Sequence, residues 1–512
     1  DWHGTECGDR VQHQVTLVDL RVQRHEQPRV VTAIVQDARQ RAGYVRQPAR
    51  LGKRCDFGRD GTDRKSHNPV DSTGLPGRAG TITPMRRAAV ALLLLIVTVI
   101  PTTIGVLAAD WPFWSRVFSM PSDPGEWPDS FYQPTTHIDG APTPFLPVVQ
   151  PAERTITTAA LEQASSWAEA NNSVALLVLH RGRIQLERYY GEMTPFTLFS
   201  GRAMTRSMVG MAVGIAMRDG RIASLDLPVE TWLSEWRAEP RGKITLRQLL
   251  NNTSGLEEIP LGGGPARDGV LGWLRGLPTL LNKNSRLSLG SDFAAAALRF
   301  ELQHEPGARF NLSNANAQLV GTILERATGT PYERYIDAKL WRPIGASGAE
   351  FYLDRRNGMP AVYCCFRATP ADYMRLGSLL INDGIAGTAQ VLPPGWVREM
   401  ATGSRANPLY GLQIWTGRAP AGVREYTPGS GFGVRHEAAY LAADVIWMEG
   451  GGGRTLWAVP SEQLVILRLG RQSANWDASY LPNTLLRGIG RAADGPASSG
   501  SNALVASAIL AR

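Results

Sequence analysis

Cysteine and lysine are scarce in this chain: four cysteines and five lysines (Lys53, Lys65, Lys243, Lys283, Lys339) stand among 512 residues. Cys7 and Cys55 are isolated, which gives no disulfide framework. Cys364 and Cys365 are neighbours that cannot pair without a strained ring, and two small core residues are expected there. Metal-ligand spacing and a glycine-rich phosphate loop are both lacking, so no metal, nucleotide or other cofactor is expected. Repeats and low-complexity runs are absent up to an Ala/Gly/Ser tail over residues 491–512, expected to be flexible.

A charge excess is also lacking once the amino end is set apart. Residues 1–84 begin with Asp1 and show no helical or strand period. Met85-Arg86-Arg87 then precedes a nearly uncharged apolar stretch, Ala88 to Ala109. That order is typical of an export signal or a signal anchor, which belongs at a true amino terminus. Residues 1–84 are therefore expected to be a non-native or disordered leader, with translation beginning at Met85. The leader holds 14 of the 54 basic and 10 of the 46 acidic residues, which leaves 40 against 36 and no reason to expect nucleic acid as a partner. Cleavage near Ala109 and retention as an inner-membrane anchor through residues 86–109 both place residues 110–512 outside the cytoplasm, in the periplasm or beyond.

Beyond Ala109 the chain divides into a Pro- and aromatic-rich segment over residues 110–150, expected to run extended over a surface, and a globular region over 151–490. Val174 to Leu179 and Ile184 to Tyr189 flank a Gly-bearing turn and read as a hairpin. A helix is expected from about Ala203 to Asp219-Gly220, with Met204, Met208, Met211, Ala212 and Ile215 at helical spacing. Thr245 starts a short helix over Leu246 to Leu250, and Asn314 to Thr328 forms another that ends at Gly329. Strands over Asp444 to Trp447, Leu456 to Val459 and Leu464 to Leu469 close the region. First and last strands around helices predict an α+β fold: an antiparallel sheet flanked by helices, with an inserted helical domain.

Several segments carry a family resemblance. Asn251-Asn252-Thr253-Ser254-Gly255-Leu256 after Leu249-Leu250 resembles the LL-x-HTSGL segment of the serine β-lactamase, D-alanyl-D-alanine peptidase and esterase superfamily, the penicillin-binding-protein type. Asp226-Leu227-Pro228-Val229, Pro306-Gly307 to Ser313-Asn314, and Gly321 to Gly329 with Pro343-Ile344-Gly345 resemble further motifs in the same order. Tyr410 to Trp415 and Gly450 to Arg454 resemble the 6-aminohexanoate-dimer hydrolase branch. The resemblance spans residues 155–490 and implies a β-lactamase/transpeptidase-like fold that acts on amides or esters.

It also implies a nucleophilic Ser at a helix start, a Lys three residues on that takes its proton, and a Tyr that relays it. Those positions hold Ala203, Arg206 and Leu312. Alanine has no lone pair with which to attack, and a guanidinium does not accept a proton near neutrality. No lysine follows a serine by three, and no tyrosine precedes an asparagine by two. Ser200 and Ser207 are neighbouring hydroxyls without a general base. Ser207, Asn314, Gly450, Gly453 and Arg454 are expected at a substrate-binding cleft, Arg454 as a carboxylate ligand or a solvated rim charge. The four glycines before Arg454 fit close approach of a ligand or a flexible turn. His436 is expected on a surface or loop. Three outcomes are open: a ligand-binding pseudoenzyme for small-molecule or peptidoglycan-like amides and esters, an active hydrolase with a rearranged site, or the product of a decaying gene.

Overall fold

The computed structural model describes residues 84–121, 127–144, 146–259 and 281–489. The chain divides between Ile82 and Thr83, and all described residues belong to the second part. The expected leader and the carboxyl-terminal tail lie outside the described residues.

Six antiparallel strands form the main sheet: β1 (Ser173–His180), β2 (Arg183–Tyr189), β3 (Trp415–Thr416), β4 (Ile446–Gly450), β5 (Arg454–Val459) and β6 (Leu464–Gly470), in the order β2-β1-β6-β5-β4-β3. β1 and β2 join through Arg181 and Gly182, both at positive φ (51° and 72°), the conformation that a two-residue hairpin turn requires. Successive side chains of a strand point to opposite faces, and here both faces are buried. Leu176, Val178, Trp457 and Ile466 pack on one side with Leu161 and Leu481, while Leu177, Leu179, Leu456 and Leu467 pack on the other with Leu376 and Leu380. Thr158–Ala170 and Tyr480–Ile489 supply the first layer and Pro370–Ile381 the second. A sheet covered on both sides reads as continuous apolar runs, which is how β1 and β6 appear in the sequence.

Between β2 and β3 the chain inserts its helical region. A helix labelled αA here, Arg206–Arg218, is buried from Arg206 to Ala216. It is entered through a 3-10 turn, Arg202–Thr205, so the expected helix start at Ala203 is one tighter turn. Thr245 caps Leu246–Leu250 through a capping box with Gln248, as its position predicts. A second helix, αB (Asn314–Thr328), is capped by Ser313 and ends at Gly329 with φ 68°.

The segment 110–150 differs from an extended linker. Asp110 accepts a bond from the Phe113 amide and Pro112 stands in the first turn, so Trp111–Ser119 is helical. Its Phe113, Trp114 and Val117 are buried with Leu289. Further on, Thr135–Ile138 pairs antiparallel with Ala349–Tyr352 in a small second sheet. Pro84–Ala109 is a helix on which Leu93, Leu94, Ile96, Val97, Ile100 and Ile104 are exposed. Among the described residues no single helix is long and apolar enough to cross a membrane; Ile96–Ala109 and Trp111–Ser119 meet that test only as a pair bent by 95°.

Candidate functional site

The 3-10 turn carrying Ala203 lies directly against the end of β4. A Cβ on Gly450 would meet the Gly201 carbonyl oxygen at 2.1 Å, so only glycine allows this approach. The turn is tied down from several directions. Thr205 Oγ1 donates to the Arg202 carbonyl (2.7 Å) and accepts from the Phe366 amide (3.2 Å), while the Cys365 amide donates to the Arg202 carbonyl (3.2 Å). The Gly201 amide donates to the Tyr373 hydroxyl (2.8 Å). Arg202, at φ 52°, donates to the Tyr132 hydroxyl and the Trp127 carbonyl. The supposed linker therefore builds one wall of the site.

From the opposite side αB presents its first residue. Asn252 Oδ1 accepts from the Ser313 amide (3.1 Å) and from Asn316 Nδ2 (2.9 Å), and Ser254 Oγ donates to Asn316 Oδ1 (2.8 Å). The polar turn Asn251 to Gly255 thus sets where αB begins. Asn314 Oδ1 there accepts from Arg206 Nη2 at 2.9 Å.

A cavity of about 570 Å³ opens between these elements, lined by Ala203, Arg206, Leu312, Asn314 and Gly450 to Gly452, with Trp127, Tyr132, Tyr352, Trp415 and Tyr426 as aromatic walls. Leu312, far from the other two in sequence, is brought together with Ala203 and Arg206. Ser207, Gly453 and Arg454 are not among the described residues that line it. Ser207 is buried and its hydroxyl donates to the Gln413 carbonyl (2.8 Å). Gly453 packs on Trp476. Arg454 is 6% exposed, donates to the Gly451 carbonyl (2.6 Å) and lies over the Phe199 ring at 5.1 Å, so it is a packed residue and not a solvated rim charge. Gly451 to Gly453 form the turn between β4 and β5, and Gly450 to Gly452 also line the cavity.

Two other expectations are corrected. Cys364 and Cys365 are bonded to each other in the cavity wall, with Cys365 at φ 74°, a left-handed turn outside any regular element. His436 is 1% exposed and ends a strand, Gly433–His436, packed edge-on against Tyr440 at 5.1 Å between ring centroids.

Sequence reasoning missed the cavity's own charge pair. Glu449 accepts from Trp447 Nε1 (3.0 Å), the Tyr426 hydroxyl (2.5 Å) and Arg424 Nη2. The available signal was Trp447 and Glu449 two apart on a strand, hence on one face. Arg424 lies over the Trp415 ring at 3.8 Å. Burial, with Glu449 beside it, pushes the Tyr426 phenol well above its ordinary value of 10.0, and burial raises Tyr352 and Tyr363 as well. These phenols stay protonated and donate; none is a base near neutrality. Ser288 is the serine among the described lining residues, with the Tyr352 hydroxyl donating to its carbonyl (3.1 Å). The arrangement can enclose an apolar body and bind polar groups. Among the described residues, no group of three His, Cys, Asp or Glu could hold a metal ion.

A family model for Beta-lactamase matches residues 158–482. Protein flp of Staphylococcus aureus (strain MRSA252) is 26% identical over 188 residues, 35% of this chain and 34% of that protein. Esterase EstB of Burkholderia gladioli is 31% identical over 210 residues, 38% of this chain and 50% of that protein. The match thus spans a third to a half of these relatives. A solved structure titled "Putative 6-aminohexanoate-dimer hydrolase from Bacillus anthracis" superposes with a TM-score of 0.51 at 17% identity, over 74% of this chain and 91% of that one, a likeness of fold.

Proposed function

The chain belongs to the β-lactamase family, and from that premise we propose that it is a non-catalytic member whose cleft binds a small-molecule or peptidoglycan-like amide or ester without cleaving it. The observation that carries this is the convergence of Ala203, Arg206 and Leu312 on one cavity. They are the positions where the family resemblance implies nucleophile, base and proton relay. Removing such a unit can cost about a millionfold in rate, leaving roughly a thousandfold over water.

Export is part of the same proposal: residues 110–512 act outside the cytoplasm, with the apolar helix before them as signal or anchor. The exposed Leu93, Leu94, Ile96, Val97, Ile100 and Ile104 support it, since such a surface is costly in water. The hydrolysis test uses the full chain with a chromogenic β-lactam and a p-nitrophenyl ester, beside the triple variant Ala203→Ser, Arg206→Lys, Leu312→Tyr. Turnover by the triple variant alone is expected. Turnover by the unmodified chain overturns the non-catalytic assignment.

A further inference from the structure

Arg206 is 5% exposed and lines the cavity; its Nη2 donates to the neutral Asn314, its other polar neighbour is the Tyr410 hydroxyl, and among the described residues no hydrogen bond of normal geometry reaches its Nε or Nη1. The Tyr410 hydroxyl lies near enough to feel its charge but supplies no counter-charge. A buried cation without a carboxylate is costly, and interiors pair such charges as a rule. Glu449, the carboxylate among the described lining residues, is engaged by Arg424, Tyr426 and Trp447. Arg202, the other lining cation, donates to Tyr132 and Trp127. Glu449 is thus already balanced by Arg424, and Arg206, set among aromatic walls, has no carboxylate partner among the described residues.

We infer that the cleft takes a ligand bearing a carboxylate beside an apolar or aromatic body, with Arg206 as the group that receives the carboxylate. This rests on the proposal that the cleft binds rather than cleaves. A lysine there would be a compact, strongly hydrated charge able to lose its proton; the guanidinium stays charged and presents planar donors that suit a carboxylate. At the position of the family's base, the chain has exchanged a proton acceptor for a permanent anion receptor.

The test is calorimetric titration of the full chain with three probes of one shape: phenylacetate, phenylacetamide and benzylamine. Phenylacetate is expected to bind about tenfold or more tightly than phenylacetamide, with benzylamine weakest. Arg206→Gln is expected to bring phenylacetate and phenylacetamide to within about twofold, and Arg206→Lys to keep part of the preference. Equal affinity of the acid and the amide for the unmodified chain, tighter binding of benzylamine, no saturable binding of phenylacetate, or an undiminished preference in Arg206→Gln each overturns the inference. The comparison of acid with amide on the unmodified chain stands even if Arg206→Gln does not fold. Ester hydrolysis by the unmodified chain sinks the non-catalytic proposal separately, because it leaves that affinity ratio as measured.

Discussion

Arg206 Nη2 donates to Asn314 Oδ1 across 2.9 Å, joining the first residue of αA to the first residue of αB over a gap of 108 positions. This contact links the two helices where both line the cavity. Asn314→Ala removes the acceptor of this bond from a buried guanidinium, and a loss of about 1.5–3 kcal/mol in unfolding free energy is expected from urea titration. Adding Arg206→Met is expected to recover at least about 1 kcal/mol of that loss, since the second change removes the stranded charge. Strictly additive losses would refute the coupling.

Gly450 and Gly451 offer a sharp contrast. A Cβ on Gly450 meets the Gly201 carbonyl oxygen at 2.1 Å, whereas on Gly451 it meets nothing within 4 Å. Gly450→Ala is expected to cost about 1–3 kcal/mol and to push the Ala203 turn away from β4. Gly451→Ala is expected to stay within about 0.5 kcal/mol of the unmodified chain. Thermal melts of the two variants side by side decide this.

Glu449 and Arg424 form a buried pair, with side chains 7% and 4% exposed. Glu449→Ala leaves Arg424 charged and buried, an expected loss of about 3–5 kcal/mol. Changing Arg424 to Met in the same chain is expected to restore a large part of it. A single variant as stable as the parent in urea would show that the pair adds nothing.

His436 sets an acid limit. Burial first, then the charge of Arg424, lowers its pKa to about 4 from 6.5, with Glu449 and Asp477 opposing. The folded state therefore binds fewer protons than the unfolded state between those values, so stability is fully present above about pH 6.5 and is lost as pH falls toward 4. His180, buried beside Thr155, is lowered to about 4 by burial and Arg181 and acts in the same direction. The loss from His436 is on the order of 2–3 kcal/mol over this window. Urea midpoints from pH 7 down to pH 5, above most carboxylate titrations, are expected to fall, and to fall less in His436→Leu.

The fold was largely legible because its strongest signals are local. The apolar residues along αA and β1, the Thr245 helix start and Gly329 act within a few residues of themselves. The segment 110–150 misled because its prolines and aromatics suit an extended wrap, whereas the Asp110 cap and burial of Phe113 and Val117 favour a helix. The family resemblance sets Arg454 at the cleft and residue type suggests a surface or loop for His436, whereas packing against Phe199 and Tyr440 buries both.

By itself the sequence determined the family resemblance and the substitutions Ala203, Arg206 and Leu312, since those are matters of residue identity and order along the chain. Tertiary structure alone decided that these three share one cavity, that Trp127 and Tyr132 wall it, and that among the described residues Arg206 has no carboxylate partner while Glu449 has Arg424. The physical reason is that charge pairing and burial depend on distances across elements, from 25 positions apart for Arg424 and Glu449 to 108 for Arg206 and Asn314. No local pattern of the chain encodes those distances.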